Sequence, residues 1–295
     1  NYHLQAIEAL GAEVDLSDGM IIAKGELKGG LINFQQSSVG ATGNALMAAV
    51  NANGATTIKN AAKEPEIEAL CHFLLKMGAD IKGIGTDEII IVGQKTLNAD
   101  IEYSVIPDRI EAGTFLIAGA CTYGDISVTN VNPNHLDIVL NYLAEAGFNL
   151  DVQNDSIRIY PSQNYINPVD MITGIYPGFP TDLQAQWMAL MTLANGNSKI
   201  TEEIYTDRFT HIAELTRFGA QVTLSGNIAK ILGTNKLTGA PVMSTDIRAS
   251  ASLIIAALSA EGKSSISRIY HIDRGYENIE DKFNILGAQI ERIKE

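Results

Sequence analysis

The chain has 295 residues, 46% of them hydrophobic and 19% charged, with a formal net charge of -13 at neutral pH. That length and balance fit two domains with packed cores, and they exclude a solitary small module or a disordered chain. The acidic excess argues against nucleic acid as a partner, because phosphate backbones recruit Lys and Arg. The lack of an ~18-residue apolar run and of signal-peptide character predicts a soluble cytoplasmic protein.

Residues 1–25 read as a helix ending at Leu10-Gly11 and running into strands. The next stretch predicts a full unit of strand, helix, strand, helix, strand, strand: Leu31 to Phe34, Ala41 to Asn51, Thr56 to Lys59, Pro65 to Met77, Asp80 to Ile84 and Glu88 to Val92. Alternation in Glu88-Ile89-Ile90-Ile91-Val92 marks a strand with one buried face. Further units are expected over 99–161, 168–233 and 240–293.

The units are joined by two markers in phase. An apolar helix ends in Gly before a strand at Gly11, Gly78, Gly147, Gly219 and Gly287, spaced about 70 residues apart. A second glycine precedes an alternating strand at Gly54, Gly124, Gly196 and Gly262. Glycine after a helix suits the left-handed conformation that ends it. Residues 1–25 supply only the second half of a unit and Asn1 is no initiator, so an N-terminal truncation is expected.

Cys71 and Cys121 lie in apolar surroundings and are expected to be buried free thiols. His3, His72, His135, His211 and His271 lack paired spacing, so no metal site is expected. There is no P-loop and no G-x-G-x-x-G.

Acids and arginines gather at helix starts: Asp108-Arg109, Thr181-Asp182, and Asp246 with Arg248. Helix N-termini converging on one crevice would bind anions, and guanidinium forks suit carboxylate and phosphate. Bland readings compete at each position. Thr181 with Gln184 has capping-box spacing, Arg248 and Arg274 could pair with Asp246 and Asp273, Ser38 could simply start a helix, and Glu64 and Glu66 could be solvated.

Several longer motifs stand in order along the chain: Ser38-Val39-Gly40-Ala41-Thr42, Asn60 to Ile67, Pro107 to Glu111, Phe179 to Gln186, Thr245 to Ser252 and Tyr270 to Glu277. Through them the sequence resembles the enolpyruvyl transferases, and within that family those acting on UDP-N-acetylglucosamine. The resemblance implies a two-domain, inside-out α/β barrel built of βαβαββ units, of which about four and a half of six are present. Residues 1–106 would be the remainder of the second domain, and 107–295 the first domain lacking its opening strand.

The implied reaction transfers the enolpyruvyl group of phosphoenolpyruvate to the 3-hydroxyl of UDP-N-acetylglucosamine, releases phosphate, needs no cofactor, and opens peptidoglycan synthesis. A monomer with small-molecule substrates and no membrane partner is expected. Asp182 would be the base, Arg248 and Arg274 would hold phosphoenolpyruvate, and Asp246 would join them in catalysis. Substrate-binding positions implied are Asn1, Tyr2, Gln36, Ser37, Ser38, Val39, Gly40, Glu64, Glu66, Asp108, Arg109, Thr181, Ile204, Tyr205 and Arg208. Gln36 departs from the family's frequent Lys, which puts one diphosphate contact in doubt. The family's Lys-Asn pair and its proton-donating loop lie before Asn1, so residues 1–295 alone are expected to turn over negligibly. The alternatives are 3-phosphoshikimate 1-carboxyvinyltransferase, which shares the fold, and a non-catalytic repeat scaffold.

Overall fold

A computed structural model describes residues 1–234 and 236–293. The chain divides into two compact units, Asn1–Ile106 and Pro107–Glu295.

In the first unit α1 (Tyr2–Ala9) leads into a hairpin of β1 (Glu13–Ser17) and β2 (Met20–Lys24). A full repeat follows: β3 (Leu31–Asn33), α2 (Val39–Ala49), β4 (Ala55–Lys59), α3 (Pro65–Lys76), β5 (Asp80–Lys82) and β6 (Glu88–Val92). Its sheet order is β3-β4-β6-β5, with β3 parallel to β4 and the β6 pairings antiparallel. Ile89 and Ile91 are fully buried while Ile90 between them is not, as period-two alternation requires. They pack with Ile32, Phe34, Ile58, Leu46 and Leu74 in one core.

The second unit contains three further copies. The first has α4 (Arg109–Cys121), β7 (Ile126–Thr129), α5 (Asp137–Glu145), β8 (Phe148–Val152) and β9 (Ser156–Pro161), in the order β7-β9-β8. Among the described residues β7 has no parallel partner of the kind β3 gives β4, and residues 99–106 form no strand. The next copy is whole: β10 (Met171–Ile172), α6 (Gln184–Met191), β11 (Asn197–Thr201), α7 (Ile212–Arg217), β12 (Gln221–Ser225) and β13 (Ile228–Leu232) repeat the four-stranded order as β10-β11-β13-β12.

The last copy departs from expectation. Its elements are β14 (Leu237–Thr238), β15 (Pro241–Met243), α8 (Ile247–Ser259), β16 (Ala260–Glu261), β17 (Ser265–Ser267) and α9 (Ile279–Ile285), with β14 parallel to β16 and β15 parallel to β17. The strand expected at Gln289-Ile290 is absent. The Asn284 side chain instead takes both backbone groups of Ile290, accepting its N–H at 2.9 Å and donating to its carbonyl at 2.8 Å, so no ladder forms there.

All five repeat glycines have left-handed backbones, with φ of +92° at Gly11, +95° at Gly78, +99° at Gly147, +94° at Gly219 and +98° at Gly287. At Gly78 the amide donates to the Leu75 carbonyl (2.9 Å) and the Ala79 amide to that of Leu74 (3.0 Å), a paired capping pattern that recurs at Gly11, Gly219 and Gly287. The second marker is looser: at Gly124 the positive φ belongs to the preceding Tyr123.

Helices α4, α6 and α8 pack on one another at the centre of the second unit. Every residue of α6 is buried, and so is α4 from Ala112 to Cys121; helices apolar on all sides belong inside. Close approach needs glycine in α4, since a Cβ on Gly113 would lie 2.5 Å from the Leu183 Cδ1. The arrangement is inside-out in that helices form the centre, while the described strands form separate open sheets and close no barrel.

Candidate functional site

The chemistry-bearing groups of the second unit meet at Asp182, in the 3-10 turn Thr181–Leu183 that opens α6. Arg208 Nη1 donates to its Oδ1 at 2.9 Å, and Arg248 donates to the same oxygen through Nε at 2.7 Å and lies within 2.7 Å through Nη2. Among the described residues, every hydrogen bond to this carboxylate goes to Oδ1. The Asp182 side chain is 38% exposed, so solvent or a ligand reaches it. Burial alone would push its carboxyl up, but the charges and hydrogen bonds of Arg248 and Arg208 outweigh burial and hold it below the usual carboxylate range.

The bland reading of Thr181-Asp182 does not hold. No side chain caps this turn, whose N-cap is Pro180, and Gln184 is fully buried within α6. The Thr181 hydroxyl donates instead to Glu202 Oε2 at 2.8 Å. Glu202 is fully buried and its Oε1 accepts from Thr173 Oγ1 (2.8 Å) and from the amides of Ile204 and Tyr205 (both 2.9 Å). Sequence reasoning nominated Ile204 and Tyr205 but missed the acid that holds them. The signal was present: Ser198, Ile200 and Glu202 alternate onto the buried face of and just beyond β11, and a carboxylate in a core register demands a purpose. The Tyr205 ring lies under the Arg208 guanidinium at 5.3 Å.

Asp246 and Arg248 do not pair with each other through their side chains. Asp246 is the N-cap of α8, its Oδ1 accepting the amides of Arg248 (2.8 Å) and Ala249 (3.2 Å). Behind it lies the buried His211, whose imidazole is pushed down to about 4, first by burial.

Arg274 sits exposed at the end of the 3-10 stretch Ile269–Arg274, which packs on α8. A Cβ on the adjoining Gly275 would lie 2.5 Å from Ile247 Cδ1, so Arg274 is near the start of α8. Among the described residues no hydrogen bond or ion pair joins it to Asp182, and Asp273 pairs with Arg292 (2.8 Å) rather than with Arg274. Asp108 caps α4, its Oδ1 accepting from Ile110 (2.8 Å) and Glu111 (3.0 Å), while the mostly buried Arg109 lies 5.6 Å over the Tyr176 ring.

In the first unit Ser38 is the N-cap of α2, weakly accepting from the Ala41 amide at 3.4 Å. Val39 and Gly40 are exposed there with Gln36 nearby on the same loop and Ser37 half-buried, and the His3 ring covers the Gly40 Cα, 3.2 Å from where a Cβ would stand. Tyr2 packs edge-on against Phe34 at 5.7 Å, and Asn1 begins α1 without a side-chain cap. Glu64 opens α3 with one buried carboxylate oxygen lacking a hydrogen bond, whereas Glu66 is exposed. Both cysteines are buried free thiols. Among the described residues no cluster of His, Cys, Asp and Glu could hold a metal ion, and no helix is long and apolar enough to cross a membrane.

A sequence profile of the family EPSP synthase (3-phosphoshikimate 1-carboxyvinyltransferase) matches residues 1–283. A UDP-N-acetylglucosamine 1-carboxyvinyltransferase of Chlorobium chlorochromatii is 53% identical over 99% of this chain and 69% of its own length. A protein of the same name in Campylobacter lari is 50% identical over 99% of this chain and 70% of its own. Among solved structures, the enolpyruvyl transferase NikO of Streptomyces tendae superposes with a TM-score of 0.89 at 24% identity, covering 98% of this chain and 71% of that one. EPSP synthase of Acinetobacter baumannii gives 0.72 at 20% identity, covering 99% and 71%; at such identities these two establish the fold alone. Half-identical relatives along nearly its whole length, together with the repeat fold, establish that the chain belongs to the UDP-N-acetylglucosamine 1-carboxyvinyltransferase family of enolpyruvyl transferases.

Proposed function

We propose that the chain carries the acceptor-activating half of an enolpyruvyl transfer from phosphoenolpyruvate to the 3-hydroxyl of UDP-N-acetylglucosamine. Asp182 takes the hydroxyl proton as the oxygen attacks C2 of phosphoenolpyruvate and C3 gains a proton; the tetrahedral adduct then loses a proton from C3 as its C2–O bond to phosphate breaks, which restores the double bond and releases phosphate. Arg248 and Arg274 hold the phosphate and carboxylate, stabilising oxyanions where charge accumulates, and Arg208 serves the nucleotide sugar beside Tyr205.

The observation that carries this reading is the sharing of one oxygen of Asp182 by two guanidiniums, 2.7 and 2.9 Å away. Oδ2 is left for an alcohol proton. In this arrangement the carboxylate is a poor base, since its proton affinity is suppressed. An arriving trianion competes for the same guanidiniums, and each one it draws off returns basicity to Asp182 when the acceptor is in place. The 50–53% identity to proteins named for UDP-N-acetylglucosamine favours that acceptor over shikimate 3-phosphate.

The test is Asp182→Asn in the full-length protein. Its kcat should fall about 10²–10⁴-fold, the span of general-base catalysis, while UDP-N-acetylglucosamine still raises the melting temperature and shikimate 3-phosphate does not. Turnover equal to wild type would overturn the assignment, and a protein stabilised by neither ligand would favour the scaffold reading.

A further inference from the structure

We infer that Glu202 is the positioning residue of this site, a buried carboxylate that fixes the turn carrying Asp182 and the turn leading to Arg208 relative to each other. The inference rests on the reading of Asp182 as base.

Glu202 is completely buried, and a carboxylate in such a place is tolerated only when its lone pairs are satisfied. Here four donors converge on it from three separate segments. Thr173, after β10, donates through Oγ1 to Oε1 at 2.8 Å, and the same hydroxyl accepts the Glu203 amide at 2.9 Å. Ile204 and Tyr205 donate their amides to Oε1, both at 2.9 Å, closing the turn whose Tyr205 carbonyl then accepts the Arg208 amide at 3.0 Å. Thr181 donates to Oε2 at 2.8 Å, one residue before Asp182. The backbone of Glu202 is itself pinned, its amide donating to the Asn227 carbonyl at 2.9 Å and its carbonyl accepting from Asn227 Nδ2 at 3.0 Å.

One carboxylate is thus bonded on one oxygen to the Arg208 turn and on the other to the Asp182 turn, and those two side chains meet at 2.9 Å. A leucine would fill the same core position more cheaply, but it would hold neither turn. The Thr181 hydroxyl is committed to Glu202, so its part is to aim Asp182 rather than to touch substrate.

The pair Thr181→Val and Thr181→Ser, with Glu202→Leu, tests this in the full-length protein. Thr181→Val should lower kcat by about 10²-fold, as misplacement of a reacting group by about an ångström does, with little change in the KM for either substrate. The acidic limb of its kcat/KM profile should move to higher pH, because an Asp182 no longer aligned with Arg208 loses part of what holds its proton affinity down. Thr181→Ser, which keeps the hydroxyl, should restore both. If Thr181→Val does not fold, Glu202→Leu carries the same test, since it fills the core position with no acceptor for either turn. Reduced stability with wild-type kcat and an unmoved acidic limb in the folded variants would leave Glu202 merely structural and overturn the inference. If Asp182→Asn also keeps full turnover, it is the base assignment that has failed; if Asp182→Asn is inactive while the Thr181 and Glu202 variants work normally, only the positioning role is lost.

Discussion

Acidification should weaken the second unit through a single buried imidazole. His211 is 1% exposed and its pKa is pushed down to about 4: burial dominates, Asp246 and a backbone hydrogen bond with Arg208 pull it up, and the Arg208 charge pushes it down. In the unfolded chain the ring titrates near 6.5, so as pH falls below that value the unfolded state binds a proton that the native state refuses. Stability is therefore intact above about pH 6.5 and is lost progressively down to about pH 4, where the native ring protonates too and the loss levels off. The linkage comes to about 2 kcal/mol between pH 7 and pH 5 and about 3 kcal/mol by pH 4. Trp187, the single tryptophan, is fully buried in the same unit and reports its unfolding by fluorescence. Urea unfolding of wild type and His211→Leu at pH 7 and pH 5 isolates the effect, since carboxylates titrate mostly lower and other histidines are common to both proteins. The variant should lose about 2 kcal/mol less than wild type over that interval. Equal losses would refute the claim that His211 stays neutral in the native core.

Other consequences are simpler to read. Asp246→Ala removes the oxygen that caps α8 through the Arg248 and Ala249 amides, and should cost about 1 kcal/mol in urea unfolding, while Asp246→Asn should stay within a few tenths; equal costs would mean that its charge and not its cap stabilises. The thiol of Cys71 is raised to about 11 by burial and then by Glu68, and burial raises Cys121 as well. Thiolates do the reacting, so native protein at pH 8 should leave both untouched by a thiol reagent and release two equivalents on unfolding; fast native labelling would contradict the packing of α3 or α4.

The repeat was legible because its punctuation is backbone chemistry. A glycine at φ near +95° after a helix is a local requirement that sequence records directly, as at Gly78 and Gly219. Alternation exposed β6 in the same way. The last copy misled because Ile290 finds its backbone partners on the Asn284 side chain, a nearby competitor for ladder bonds that periodicity does not register. Contacts at the site were less legible still. Arg208 and Arg248 reach Asp182 across 26 and 66 residues, and no spacing rule could prefer Asp182 over Asp246 as the partner of Arg248.

The three central helices make the difference between structure and chemistry visible within one molecule. Asp108 and Asp246 stand at the N-caps of α4 and α8, and Asp182 in the 3-10 turn that opens α6. At α4 and α8 the carboxylate turns back onto two amides of its own helix, which satisfies orphan donors and leaves the group engaged. At α6 the N-cap is Leu183 and that of the 3-10 turn leading into it is Pro180, neither of which offers a side-chain oxygen, and the Thr181 hydroxyl is drawn away by Glu202. That start is left without a side-chain cap, and its carboxylate faces two arginines instead. A repeat in which two copies obey the capping rule and the third abandons it, at the cost of burying an additional acid, is what functional selection acting on a duplicated unit should leave behind.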